Sequence, residues 1–489
     1  MLSYDCYKIA DYSSTDWAMH RYQEVAKLIQ EWIGLGLIKP GNRLPSVREM
    51  SRQTGFSMVT VHHAYSLLES EGVVEARPRS GFYVSRTERA LGNFPEMQDE
   101  LQIARNASPT QVPSIYELNR AWRQSTFTNF ASLHLSNDLI PTKQINAQLL
   151  RAIREDIRHP NLPEPVEGHS ELRGIVAKRL GLRGVLARGD DIILTSSTPK
   201  AIELALDTVT KPGDTVLIES PSYYPLFAGL RRRQLQPVEI YSHPRFGLDP
   251  AQFEYLLEHN KIAACILMPI NHFPTGTTYS DSVLRNLVAS ATRHGTRIIE
   301  IDLYAELSHA PQTASTLKKY DVADIVTQVG SFSAGLGPRF GVAWIHDRSH
   351  RREILEMLYS EDAEPGNVAI QRAAGNYINL GVYDRHLRHI REELGKRVRR
   401  GLSQISQTFP STCSISHPSG GFMCWIRCHT GFDSLKGARK AAEYRIGISP
   451  GSLFSVTGSF PNFLGLNLST PADLHREDML QVVAELIRE

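Results

Sequence analysis

The chain has 489 residues, 41% of them apolar and 22% charged, with a formal net charge of +2 at pH 7. That length exceeds one small domain and the composition is that of a globular protein with sizeable cores, so two or three units are expected. The near-neutral balance selects no partner, because local basic clusters can bind nucleic acid whatever the net charge. No apolar run approaches the ~20 residues that cross a bilayer. The stretch Met1–Cys6 lacks a basic segment followed by an apolar one, so a cytoplasmic protein is predicted. The five cysteines (6, 265, 413, 424, 428) are odd in number and scattered. Cys424 and Cys428 lie four apart with no second ligand pair, so no zinc site is expected.

From Arg21 to Ile33, Val25, Leu28, Ile29 and Ile33 share one helical face, and Gly34-Leu35-Gly36 ends the helix. Ser46 and Glu49 have the spacing of a capping box, which starts a second helix that stops near Thr54-Gly55. Ser57 caps a third helix with Val61, Ala64, Tyr65 and Leu68 on its apolar side. Gly72–Ala76 and Gly81–Val84 read as two short strands around Arg77-Pro78-Arg79-Ser80. Three helices and a two-stranded wing predict a winged helix-turn-helix.

Pro-Gly-Asn-Arg-Leu-Pro-Ser-Val-Arg-Glu, Phe-Ser-Met-Val-Thr-Val, Leu-Leu-Glu-Ser-Glu-Gly and Ser-Gly-Phe-Tyr-Val resemble the GntR-type DNA-binding domain continuously over Arg21–Val84. The resemblance implies that the third helix enters the major groove of double-stranded DNA. Carried over by position, the contacts fall on Arg48, Ser57, Met58, Thr60 and His62, with Arg77, Arg79 and Gly81 in the wing. Arginines suit phosphate or guanine edges, and short hydroxyls suit phosphates and bases. Met58 and His62 stand where some relatives have arginines, which leaves the base preference open. The DNA-binding domain is assigned to 1–85. Residues 86–130 are polar and without sustained period, and read as a linker with a short helix around Ile115–Phe127.

Beyond Ser132, apolar strand candidates at 191–195, 215–219, 263–268, 297–301 and 325–329 alternate with helical stretches, which predicts a doubly wound, mostly parallel sheet. Gly168-His-Ser-Glu-Leu-Arg173, Glu219-Ser-Pro-Ser-Tyr223, His272-Phe-Pro-Thr-Gly276 and Ser331-Phe-Ser-Ala334 resemble motifs of fold-type I pyridoxal-phosphate aminotransferases. A GntR-type head on such a body, assigned to 131–489, is the architecture of the MocR subfamily of bacterial transcription regulators. The resemblance implies an α/β body with a small C-terminal α+β subdomain, and a head-to-tail homodimer. Tyr223, Tyr304, Ser331, Ser333, Ala334 and Arg339 fall at its cofactor or ligand pocket.

Against that pattern the chain departs at several places. The lysine that holds the cofactor aldehyde is replaced by Ala334. In Glu300-Ile-Asp-Leu-Tyr304, Ile301 stands where the family has the carboxylate that pairs with the pyridine nitrogen, and strand alternation sends Asp302 to the opposite face. Thr195-Ser-Ser-Thr-Pro-Lys200 replaces the usual phosphate-cradling helix start, and Pro199 has no N–H to offer. Arg339 sits two residues nearer position 334 than expected. Gly465 stands at the arginine that binds a substrate carboxylate. These departures predict a DNA-binding regulator, not an enzyme, with no covalent cofactor although pyridoxal phosphate is the family's own. Its body is expected to sense a small-molecule effector and to dimerise. The alternative is a body that retains pyridoxal phosphate, or transamination, through another amine, Lys200 being the first candidate.

Overall fold

The structure is a computed structural model and describes residues 21–34, 37–38, 41–70, 73–77, 80–84, 94, 120, 122, 127–156, 165–309, 314–361 and 368–488. The chain divides into two compact units, Met1–Glu88 and Arg89–Glu489. Most of the predicted linker at 86–130, with the predicted helix around 115–127, lies outside the described residues.

The head holds helices α1 (Arg21–Gly34), α2 (Val47–Thr54) and α3 (Met58–Ser70), then strands β1 (Val74–Arg77) and β2 (Gly81–Val84). The first wing strand thus begins two residues later than predicted. Helix α2 starts where its sequence demands: Ser46 Oγ accepts from the Glu49 N–H at 3.2 Å, and the Glu49 carboxylate accepts from the Ser46 N–H at 3.1 Å. Gly55 ends the helix in the left-handed conformation, φ 75°, a geometry that suits glycine. The predicted apolar residues of α3, Val61, Ala64, Tyr65 and Leu68, are all fully buried against Val25 and Ile29 of α1. The antiparallel wing pairs Val74 with Val84 and Arg77 with Gly81.

The body is built on eight strands: β3 (Ile192–Thr195), β4 (Thr215–Ser220), β5 (Gln236–His243), β6 (Gly247–Leu248), β7 (Ile262–Leu267), β8 (Arg297–Asp302), β9 (Val326–Ser331) and β10 (Ala343–His346). Their order across the sheet is β3-β10-β9-β8-β7-β4-β5-β6. Contacts from β9 through β5 are parallel; β10 runs antiparallel to both its neighbours, and β6 closes the far edge antiparallel. The central strands are nearly continuous runs of buried residues, as expected where helices cover both faces. A 27-residue helix, Val382–Thr408, leads to a second sheet, β11 (Ser414–Ile415), β12 (Met423–Arg427), β13 (Ser449–Pro450) and β14 (Phe463–Asn467), ordered β11-β12-β14-β13 and wholly antiparallel. This is the predicted α+β subdomain.

Ser46→Ala removes the α2 cap, worth about 1 kcal/mol. In a unit this small that lowers the head's unfolding midpoint by roughly 4–8 °C, read by calorimetry of the full chain. In the body, burial and the nearby Lys318 charge lower His346 to about 4, so the ring is neutral when folded. Below about pH 6.5 the unfolded chain takes up a proton that the folded chain refuses. The body's stability should therefore fall as pH drops from about 6.5 toward 4. His346→Leu should make that fall shallower in a urea-denaturation pH series, the remainder belonging to His309 and His386, which burial also lowers to about 4.

Candidate functional site

In the head, Arg48 is exposed on α2, Ser57 is exposed just before α3, and Met58 and His62 are exposed on α3. Two of the predicted contact groups already have work inside the fold. Ser57 Oγ accepts the Thr60 N–H at 3.1 Å and lies 2.8 Å from Thr60 Oγ1, so both hydroxyls belong to the cap of α3. His62 leans toward the wing, its ring edge-on to Phe82 at 6.3 Å and its Nδ1 3.5 Å from Ser66 Oγ. Gly81 has φ 105°, and a Cβ there would stand 3.3 Å from the Arg43 guanidinium. Gly81 is thus needed by the wing's own geometry. Arg77 ends β1, and Arg79 lies outside the described residues. Sequence reasoning missed Arg43, which is exposed and bridges to Tyr83. Only the folded pairing brings it beside the wing.

In the body, Ile301 and Asp302 end β8 on opposite faces. Ile301 is buried in the apolar cluster that also holds Val329, Tyr304 and Ala334. Asp302 accepts from the Arg183 guanidinium and, at 3.0 Å, from Gln328 Nε2. Strand β9 ends at Ser331, and a single helical turn, Ser333–Leu336, carries Ala334 into the same cluster with 8% of its surface exposed. Ser331 Oγ lies 2.9 Å from Ser333 Oγ and 3.2 Å from the Val342 carbonyl, and it accepts the Ser333 N–H at 3.1 Å. Arg339 is exposed in the following turn, without a hydrogen bond or ion pair among the described residues.

Tyr223 and Tyr304 come together through Phe273. The Phe273 ring lies 5.9 Å from Tyr223 and 6.2 Å from Tyr304, and it also packs on Phe454 at 5.7 Å. Burial pushes Tyr223 up to about 12, so its phenol stays protonated. The Tyr304 hydroxyl donates to the Leu133 carbonyl at 2.9 Å. Behind Phe273, His272 is buried, with Nδ1 2.9 Å from Thr275 Oγ1 and Nε2 3.5 Å from Glu219.

At the helix Thr198–Val209, Ser197 is the N-cap and accepts the Lys200 N–H at 3.3 Å. Of the first-turn donors that a helix offers to an anion, Pro199 has none and Lys200's is taken. Tyr223 lines a cavity of about 20 Å³ with Pro199, Ile202 and Glu203 beside this helix start. That space is of the order of one water molecule. The motif at 168–173 is a clasp: Arg173 Nε donates to the Gly168 carbonyl at 3.1 Å and its Nη1 to the Gly189 carbonyl at 3.1 Å. Gly465 faces an occupied space, since a Cβ there would stand 3.1 Å from Phe454 and 3.3 Å from Met423. An arginine at this position would displace that packing and bury a charge without a partner. Gly465→Arg should therefore cost about 3–5 kcal/mol of body stability, read by urea denaturation.

Comparison with known proteins divides the chain in the same way. The family described as "Bacterial regulatory proteins, gntR family" matches residues 21–84, and "Aminotransferase class I and II" matches residues 132–483. The HTH-type transcriptional regulator YjiR of Escherichia coli (strain K12) is 30% identical over 466 residues, 95% of this chain and 98% of that protein. YdcR of the same organism, also an HTH-type transcriptional regulator, is 29% identical over 96% of this chain and 100% of its own length. The crystal structure of kynurenine aminotransferase from Pyrococcus horikoshii matches the fold with a TM-score of 0.72, at 23% identity, over 77% of this chain and 95% of that one. The chain belongs to the MocR family, transcriptional regulators that join a GntR-type DNA-binding head to a class I and II aminotransferase-like body.

Proposed function

We propose that this regulator reads a small metabolite through its body without covalent capture and without transamination, and that it binds its operator as a homodimer. The observation that carries the reading is Ala334: the side chain following Ser331-Phe332-Ser333 is a methyl group, buried in the apolar cluster, and it has no amine to form an imine. Ile301 in the same cluster offers no carboxylate to a pyridine nitrogen, and Phe454 and Met423 crowd the position of Gly465. Each departure removes a separate requirement of amino-group transfer: capture, electron withdrawal and orientation of the substrate. The residues present therefore do not fit pyridoxal phosphate as a covalent cofactor, and no reaction step is assigned to it.

A homodimer is favoured by the helix Thr142–Asp156. Its Leu150 and Ile153 are 58% and 41% exposed three residues apart, an apolar row that a second copy would cover. Two heads on one dimer match two operator half-sites.

The test uses the full-length protein and a duplex it selects from a random-sequence pool. Affinity should fall steeply as salt rises, because phosphate contacts release counterions. Metabolites that raise the protein's melting temperature should shift its affinity for that duplex. A full screen in which every stabilising metabolite leaves DNA affinity unchanged would contradict the sensing role.

A further inference from the structure

The first turn of α3 presents two bare apolar side chains to solvent. Met58 is 53% exposed and Val59 is 66% exposed, and neither belongs to the head's apolar cluster or packs against it. The opposite side of the same helix is fully buried at Val61, Ala64, Tyr65 and Leu68. Helical spacing places Val59, His62 and Ser66 in one outward row, with Met58 beside its start. The hydroxyls nearby are already engaged, since Ser57 and Thr60 bond each other in the cap. The largest exposed side chains at the tip of the helix are hydrocarbon.

Resting on the reading of this chain as a DNA-binding regulator, we propose that Val59, with Met58 at its side, sets operator specificity by packing on the C5-methyl groups of thymines in the major groove. Among the groups that base pairs present in that groove, the thymine methyl is the hydrocarbon substituent that projects toward the protein. Apolar contact with it removes two hydrocarbon surfaces from water together. Valine suits the task because branching at Cβ holds χ1 in one rotamer, so little freedom is lost on contact. The occupant is a duplex and not another protein because the row lies on the second helix of a helix-turn-helix, the element that enters the major groove, with Arg43, Arg48 and Arg52 exposed on the same small unit to meet phosphates. Val59 lies outside the set of contacts predicted from the sequence.

The experiment takes the duplex that the full-length protein enriches from a random-sequence pool and remakes it with deoxyuridine in place of thymidine. This keeps every hydrogen-bonding edge and removes only the methyl groups. The expected result is a loss of affinity of about four-fold for each contacted methyl. Val59→Ser, a change at an exposed position that leaves the buried face of α3 intact, should bind the thymine duplex several-fold more weakly and lower the thymine-to-uracil affinity ratio by about the same factor. Circular dichroism checks that the variant keeps its helix. Equal affinity of the unaltered protein for the two duplexes, or an unchanged ratio in Val59→Ser, overturns the proposal. A pool from which the full-length protein enriches no duplex overturns the regulator reading itself, a result distinct from equal binding of the two duplexes.

Discussion

Strand alternation at the carboxyl end of β8 governs what the body can do. Ile301 and Asp302 are neighbours, so one side chain must enter the cluster with Ala334 and the other must leave it. The register with β9, Val329 against Ile301 and Gly330 against Asp302, holds both in place. Asp302 is further fixed by Arg183 and Gln328, and it shares its face with the buried Glu300. Burial and the neighbouring Asp302 push Glu300 up, while the N–H groups of Leu317 and Lys318 pull it back. To bring Asp302 round to the Ile301 side, β8 would have to slip by one residue, and that slip would turn every buried side chain of the strand to the wrong face. A carboxylate next door in sequence is therefore no substitute for one at position 301.

The same logic runs through the rest of the proposed pocket. The two serines before Ala334 bond each other, Tyr304 bonds the Leu133 carbonyl, and Ser197 caps the helix that would face an anion. Phe273 and Phe454 place rings among the tyrosines, and Phe454 lies against Gly465. Polar groups that meet their hydrogen-bonding needs within the chain keep the scaffold ordered without any bound group. In the reading proposed above, the body has kept the fold of an aminotransferase as a frame for recognition, and the head supplies the contact with DNA.

Much of this architecture was legible from residue pattern. The capping box of α2, the buried row of α3 and the apolar runs of the parallel strands are local, and each lies within about two residues of its prediction. The antiparallel β10 between β9 and β3 was not legible, because order across a sheet is set by pairing between distant segments. Site geometry was legible only in part. The sequence shows which residue types stand at 301, 334 and 465, and alternation alone places Asp302 away from Ile301. It does not show which hydroxyls are already bonded, that Arg173 reaches back to Gly168, or that Arg43 lies beside Gly81. Those are tertiary contacts, and no short motif encodes them.

The measurement that tests the central claim most directly is the visible absorption spectrum of the purified full-length protein, titrated with pyridoxal phosphate, before and after borohydride reduction. The account predicts no aldimine band and no label fixed to the protein, because position 334 has no amine to offer. A band that borohydride fixes to the chain would contradict it. Peptide mapping of the label would then identify the amine that captures the aldehyde, with Lys200 the first candidate.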